Sequence, residues 1–237
     1  MIAEIHHKVG CFATNQDRLE DELTGNFFGT LRYLPFSRGI QKILEYAYSD
    51  DEKFHQLLNS INTDDFEIEF WKRSEDNREI DAVLEVEDLV IGIEVKYNSG
   101  LSGSDQLIIE ERMLNSWYRE KKRLLLFVAR EEDVKKVYDT HKDILTNVHF
   151  GYLTWQNALR GLDKIITTSV FEKKMVNDLK QLLSMKRFVS FIGFSDVCDG
   201  LEISGDSYYT FENEYSGIFF DDIQNMDIDG GMGYEFK

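Results

Sequence analysis

The chain has 237 residues, 42% of them hydrophobic and 13% aromatic. That is enough for one sizeable α/β core and too apolar for a disordered chain. The formal charge of −17 repels nucleic acid as an overall field, and −10 of it comes from Asp196 onward, where eleven acids face Lys237 alone. No apolar run approaches the roughly 20 residues of a membrane span. The opening MIAEIHHKVG lacks the order of a secretory signal, and Cys11 and Cys198 are too few for a disulfide framework, so a reduced cytoplasm is the expected setting.

Leu19, Leu23, Phe27, Phe28 and Leu31 recur at helical spacing and predict a first helix from about Asp17 to Tyr33. Helices over about 37–48 and 51–61 follow the break at Pro35. The period then becomes two in FEIEFWKR (66–73), EIDAVLEV (79–86) and LVIGIEVKY (89–97), which predicts three strands. NSGLSGS (98–104) reads as a loop, with Ser104 the expected N-cap of a helix over about 105–121. RLLLFVA (123–129) is apolar enough for a strand covered on both faces. A helix at about 131–143, a strand at 148–155 and helices at about 156–164 and 169–186 complete the pattern. The order predicts an α/β (α+β) domain with a mixed sheet flanked by helices. Residues 1–165 form its core with the N-terminal helices. Residues 166–237 add a helix and an acidic, β-rich C-terminal appendage packed on that core as one compact unit.

Only Glu87 and Asp88 separate the second and third strands, so they form an antiparallel hairpin in which paired residue numbers sum to 175. Asp81 then opposes Glu94, and Glu79 opposes Lys96. Ile80, Ala82 and Leu84 join Ile91, Ile93 and Val95 on the apolar face. Two opposed carboxylates repel unless a cation or Lys96 compensates. A salt-bridged outer face and a functional site both fit this pattern. Glu20 falls within the apolar arc of the first helix, while Asp21 and Glu22 fall outside it. Glu20 has capping-box spacing from Asp17, and a carboxylate on an apolar face also suits a metal site; the two roles are compatible.

Asp81 followed by Glu94-Val95-Lys96 resembles the D…ExK signature of the PD-(D/E)XK nuclease superfamily. The similarity extends over residues 18–165: an acidic helix, the carboxylate-bearing hairpin, a helix starting near Gln106, and a buried strand. LTWQNAL (153–159) is similar to a stretch seen in some bacterial branches, and Ile80 stands where the name-giving proline would be. The resemblance implies a restriction-endonuclease-like fold and Mg²⁺-dependent hydrolysis of phosphodiester bonds, with Mn²⁺ as a substitute and DNA the expected substrate. Asp81, Glu94 and the Val95 carbonyl would bind the metal, with Glu20 contributing. Lys96 would orient the attacking water and stabilise developing charge, Gln106 would position the lysine or phosphate, and Glu79 would support Lys96. The alternative is a catalytically silent module of the same fold that binds nucleic acid or protein within a complex.

The basic residues Arg119, Lys121, Lys122 and Arg123, and Lys173, Lys174, Lys180, Lys186 and Arg187, form either solvated faces or a local track for nucleic acid, with Lys121, Lys122 and Arg123 the expected contacts. The acidic C-terminal region is the expected surface for a homo-oligomer or a partner protein. His6, His7 and Cys11 lack a second cluster to complete a soft-metal site. The C-terminal acids lack EF-hand spacing, and GGMGYEFK lacks the lysine and helix of a phosphate loop. Trp71, Trp117 and Trp155 read as core residues.

Overall fold

A computed structural model describes residues 15–97, 101, 103 and 105–188. Residues 1–191 form one compact unit and 192–237 another, and every described residue lies in the first. The expectations for His6, His7, Cys11, Ser104 and the acidic C-terminal appendage lie outside the described residues.

The elements are α1 (Asn15–Leu31), α2 (Ile40–Leu44), α3 (Glu52–Asn59), β1 (Glu67–Arg73), β2 (Glu79–Val86), β3 (Leu89–Val95), α4 (Gln106–Trp117), β4 (Lys122–Ala129), α5 (Glu131–His141), β5 (His149–Thr154), α6 (Trp155–Leu162) and α7 (Val170–Met185). The strands form one mixed sheet in the order β1-β2-β3-β4-β5. β1, β2 and β3 pair antiparallel; β3, β4 and β5 pair parallel.

Alternation along β3 assigns the two faces. Leu89, Ile91, Ile93 and Val95 join a core with α1, α2, α3, α6 and α7, while Val90 joins Leu107 and Leu114 of α4 and Tyr138 of α5 on the other face. β4 is apolar on both sides because helices cover both, as its sequence predicts. Val176, Leu179 and Leu183 of α7 are buried in the main core, so this helix belongs to the first unit.

Three local differences from expectation have physical causes. Trp155 opens α6 instead of ending β5, because the Thr154 hydroxyl accepts the Asn157 N–H and caps the helix there. α4 begins after Asp105, which makes no side-chain cap, and stops at Trp117, where Tyr118 leaves helical geometry. Ile80 packs with Val83 and Leu107 on the α4 face, not with Ala82. Opposite Asp81, Trp71 has φ 51°, a left-handed backbone that is rare for a bulky residue. Phe70 and Trp71 therefore both face the main core, and the pleat loses its alternation at that point.

Candidate functional site

The hairpin register obeys the predicted sum: Ala82 pairs Ile93, Val83 pairs Gly92, and Leu84 pairs Ile91. The ladder ends at Ala82–Ile93. Beyond it β2 stays with β1, through Ile80–Lys72 and Glu79–Arg73, while β3 stays with β4, through Glu94–Phe127 and Val95–Val128. The two strands part, and a cleft of ≈ 360 Å³ opens at that end of the sheet. Asp81 stands on one lip and Glu94 on the other. Asp81 still bridges the gap, because its Oδ2 accepts the Val95 N–H at 2.8 Å in place of a backbone partner.

The separation also corrects the expected Glu79–Lys96 pairing. Glu79 remains on β2 with its β1 neighbour and accepts from Arg73 Nε at 2.8 Å. Lys96 turns inward instead. Its backbone is fixed by its N–H to the Val128 carbonyl at 2.7 Å and by the Trp155 indole N–H to its own carbonyl at 3.1 Å. Its ammonium lies 2.6 Å from Glu94 Oε1 and 3.0 Å from Glu20 Oε1, with the lysine side chain 8% exposed. Glu20 Oε2 accepts the Tyr97 N–H at 2.9 Å, so one α1 carboxylate binds both backbone and side chain at the end of β3. The capping-box alternative turns on the Asp17 side chain, which lies outside the described residues.

Helix α4 supplies the third wall. Gly92 allows it to come close: a Cβ there would stand 2.7 Å from Leu114 Cδ1. Gln106, in the first turn, donates to Glu94 Oε1 at 2.5 Å. Glu110 lies one turn later on the same helix face. Its carboxyl is 1% exposed and adjoins Glu94 and Gln106. The sequence reading missed Glu110, although its spacing of four from Gln106 was a usable signal. Asp21, outside the apolar arc of α1, also lines the cleft and accepts from the Trp71 indole at 3.1 Å.

Three carboxyl groups, of Glu20, Asp81 and Glu94, therefore act on one ammonium, and a fourth, of Glu110, adjoins Glu94. Burial, then repulsion by Glu94, pushes Asp81 well above the ordinary carboxylate range, and the same causes raise Glu110. Asp81 keeps some solvent contact at the cleft mouth but is surrounded by protein in depth. Burial disfavours the Lys96 ammonium, yet the attraction of Glu94, Asp81 and Glu20 outweighs it and raises the lysine. The surplus of hard oxygen donors suits a divalent cation such as Mg²⁺. Among the described residues, no three His, Cys, Asp or Glu side chains stand already arranged about one point.

The expected nucleic-acid contacts do not reach this site. β3 and β4 run parallel, and Lys122 pairs Leu89 at the opposite end of the strands from Glu94. Lys121 bonds Glu85 at 2.8 Å, Lys122 bonds Asp88 at 2.9 Å, and the Arg123 guanidinium binds the Tyr118 and Lys121 carbonyls. Arg73, Asn77 and Arg78, from the β1–β2 hairpin, line the cleft instead.

The family model of a domain of unknown function, DUF4143, matches residues 54–146, from within α3 to the approach of β5. That span holds Asp81, Glu94, Lys96, Gln106 and Glu110 and leaves out Glu20. No curated protein and no solved structure matches the chain. Among the described residues, no helix is long and apolar enough to cross a membrane.

Proposed function

We propose that the chain is a metal-dependent nuclease of restriction-endonuclease-like fold, cutting phosphodiester bonds in nucleic acid, with DNA the expected substrate. The observation that carries this reading is the parting of β2 and β3, which leaves Asp81 and Glu94 facing one cleft with the Lys96 ammonium between Glu94 and Glu20. The element order supports it too: an acidic helix, an antiparallel three-strand meander, a helix, then parallel strands.

Asp81, Glu94 and the Val95 carbonyl would hold the metal. Mg²⁺ bound there would lower the pKa of a water and neutralise charge on the phosphate. Lys96 keeps its proton at physiological pH, so it orients the attacking water and offsets the charge that develops on the phosphate, rather than accepting a proton. Glu20 holds that lysine and the Tyr97 amide together, which fixes the ammonium's position. Gln106 holds the Glu94 carboxylate, a positioning role.

Plasmid DNA incubated with the protein and Mg²⁺ or Mn²⁺ provides the test: cleavage is expected, with loss in Asp81→Ala and Lys96→Ala. Absence of metal-dependent cleavage, or full activity in both variants, defeats the reading. One observation favours the catalytically silent alternative: Lys96 already has two carboxylate partners, a closed ion triad. Calorimetric titration separates the two, since the silent module would show no Mg²⁺ or Mn²⁺ binding that depends on Asp81.

A further inference from the structure

We propose that the tip of the β1–β2 hairpin is the phosphate-backbone clamp of this cleft, with Arg78 as its contact and the nucleic acid entering from the β1 edge of the sheet. The inference rests on the nuclease reading and names how that site takes its substrate.

An acidic chain with an acid-lined cleft must still hold a polyanion. Glu20, Asp21, Glu79, Asp81, Glu94 and Glu110 line the cleft, against Arg73, Arg78 and Lys96. Lys96 is enclosed by Glu94 and Glu20. Arg73 is held by Glu79. Arg78 is exposed, and among the described residues its guanidinium has neither an ion pair nor a hydrogen bond. Among the described residues it is thus the cleft cation left open to a ligand.

The hairpin tip holds Arg78 in place by its backbone. Ser74 N–H donates to the Arg78 carbonyl at 2.8 Å, Arg78 N–H donates to Ser74 Oγ at 3.3 Å, and Asn77 N–H donates to the Ser74 carbonyl at 3.0 Å. Asn77 adopts φ 61°, a left-handed conformation that asparagine tolerates. Glu75 and Asp76 sit at the apex of the same tip and do not line the cleft. A guanidinium matches a phosphate with two parallel N–H donors, so one well-placed arginine fixes register as well as charge. The basic residues of the expected track lie elsewhere where they are described: Lys121, Lys122 and Arg123 are bonded at the opposite end of the strands, and Lys180 bonds Asp163 at 2.7 Å.

The test is fluorescence anisotropy of labelled duplex DNA, single-stranded DNA and RNA on the full chain, across a salt series, with Ca²⁺ replacing Mg²⁺ to prevent cleavage. Arg78→Ala should weaken binding roughly tenfold, the scale of one charge-assisted contact. It should also lower the slope of log K against log salt by about 1. Arg78→Lys should recover part of the affinity, and Lys122→Ala should change neither quantity. An unchanged slope in Arg78→Ala, an equal loss in Lys122→Ala, or absence of wild-type binding to all three probes overturns the proposal. If Arg78→Ala behaves as expected while the wild type never cuts with Mg²⁺ or Mn²⁺, the nuclease reading falls and the clamp stands.

Discussion

The β2–β3 hairpin carries charge at both ends and treats it in opposite ways. At its turn, acids meet bases near solvent: Glu85 bonds Lys121, both side chains 32% exposed, and Asp88 bonds Lys122, while Glu87 accepts the Asn62 N–H. At its open end, Glu20, Asp81 and Glu94 share Lys96 in a largely buried cleft, with Glu110 beside Glu94. The first arrangement costs little and contributes little, since exposed pairs are worth about 0.2–1 kcal/mol. The second is unfavourable to folding, because acids without matching cations lose hydration and repel one another. Such imbalance confined to one cleft marks a candidate functional site, whereas the balanced end reads as surface.

The largest effect that could break this contrast is catalytic. Lys96→Ala is expected to lower metal-dependent DNA cleavage by about 10²–10⁴-fold. Lys122→Ala, at the balanced end, should leave the rate unchanged. Equal rates in the two variants would remove the distinction.

A smaller effect concerns how α4 closes the site. Gly92→Val places side-chain atoms where Leu114 now packs, and should cost about 1–3 kcal/mol in urea unfolding at unchanged m. Full stability would show that α4 is not held close by the missing side chain.

Glu110→Leu tests the imbalance itself. Removing a buried carboxyl crowded by Glu94 and Asp81 should stabilise the metal-free protein by about 1–2 kcal/mol near neutral pH, read as a rise in Tm. A lower Tm would mean that Glu110 is already compensated.

The same groups predict a pH dependence. Asp81 and Glu110 have folded-state pKa values raised above their ordinary ~4, so each binds its proton more tightly in the folded state. Their contribution to stability is complete below that ordinary value and is lost as pH rises through the raised ones. Metal-free stability attributable to them should thus decline from about pH 4 upward. Glu110→Gln should flatten the profile, and an unaltered profile would exclude Glu110 as a source. The smallest effect is at the turn, where a double-mutant cycle on Glu85 and Lys121 should give a coupling of about 0.2–1 kcal/mol that fades with salt.

Much of the site was legible because period-two patterning and a two-residue turn leave little freedom in a hairpin. They placed Asp81 and Glu94 on facing strands, and the helical wheel singled out Glu20 as a polar intruder on an apolar face. Other positions were not legible in this way. Ile80 changes face because Trp71 leaves the β conformation opposite Asp81, and no local propensity of FEIEFWKR announces that. Lys121, Lys122 and Arg123 looked like a nucleic-acid track because sequence shows a charge without showing its partners, here Glu85, Asp88 and four backbone carbonyls.

The sequence by itself determined the five strands, the hairpin register and which chemical groups stand at its open end, since alternation and turn length are local properties. The tertiary structure decided what those groups face. β1 holds β2 and β4 holds β3 beyond Ala82–Ile93, where the β2–β3 ladder stops and the cleft opens. The contact of Leu114 against Gly92 then brings Gln106 and Glu110 up to Glu94. Neither outcome is encoded in any one segment, because each depends on which neighbour a strand or helix packs against.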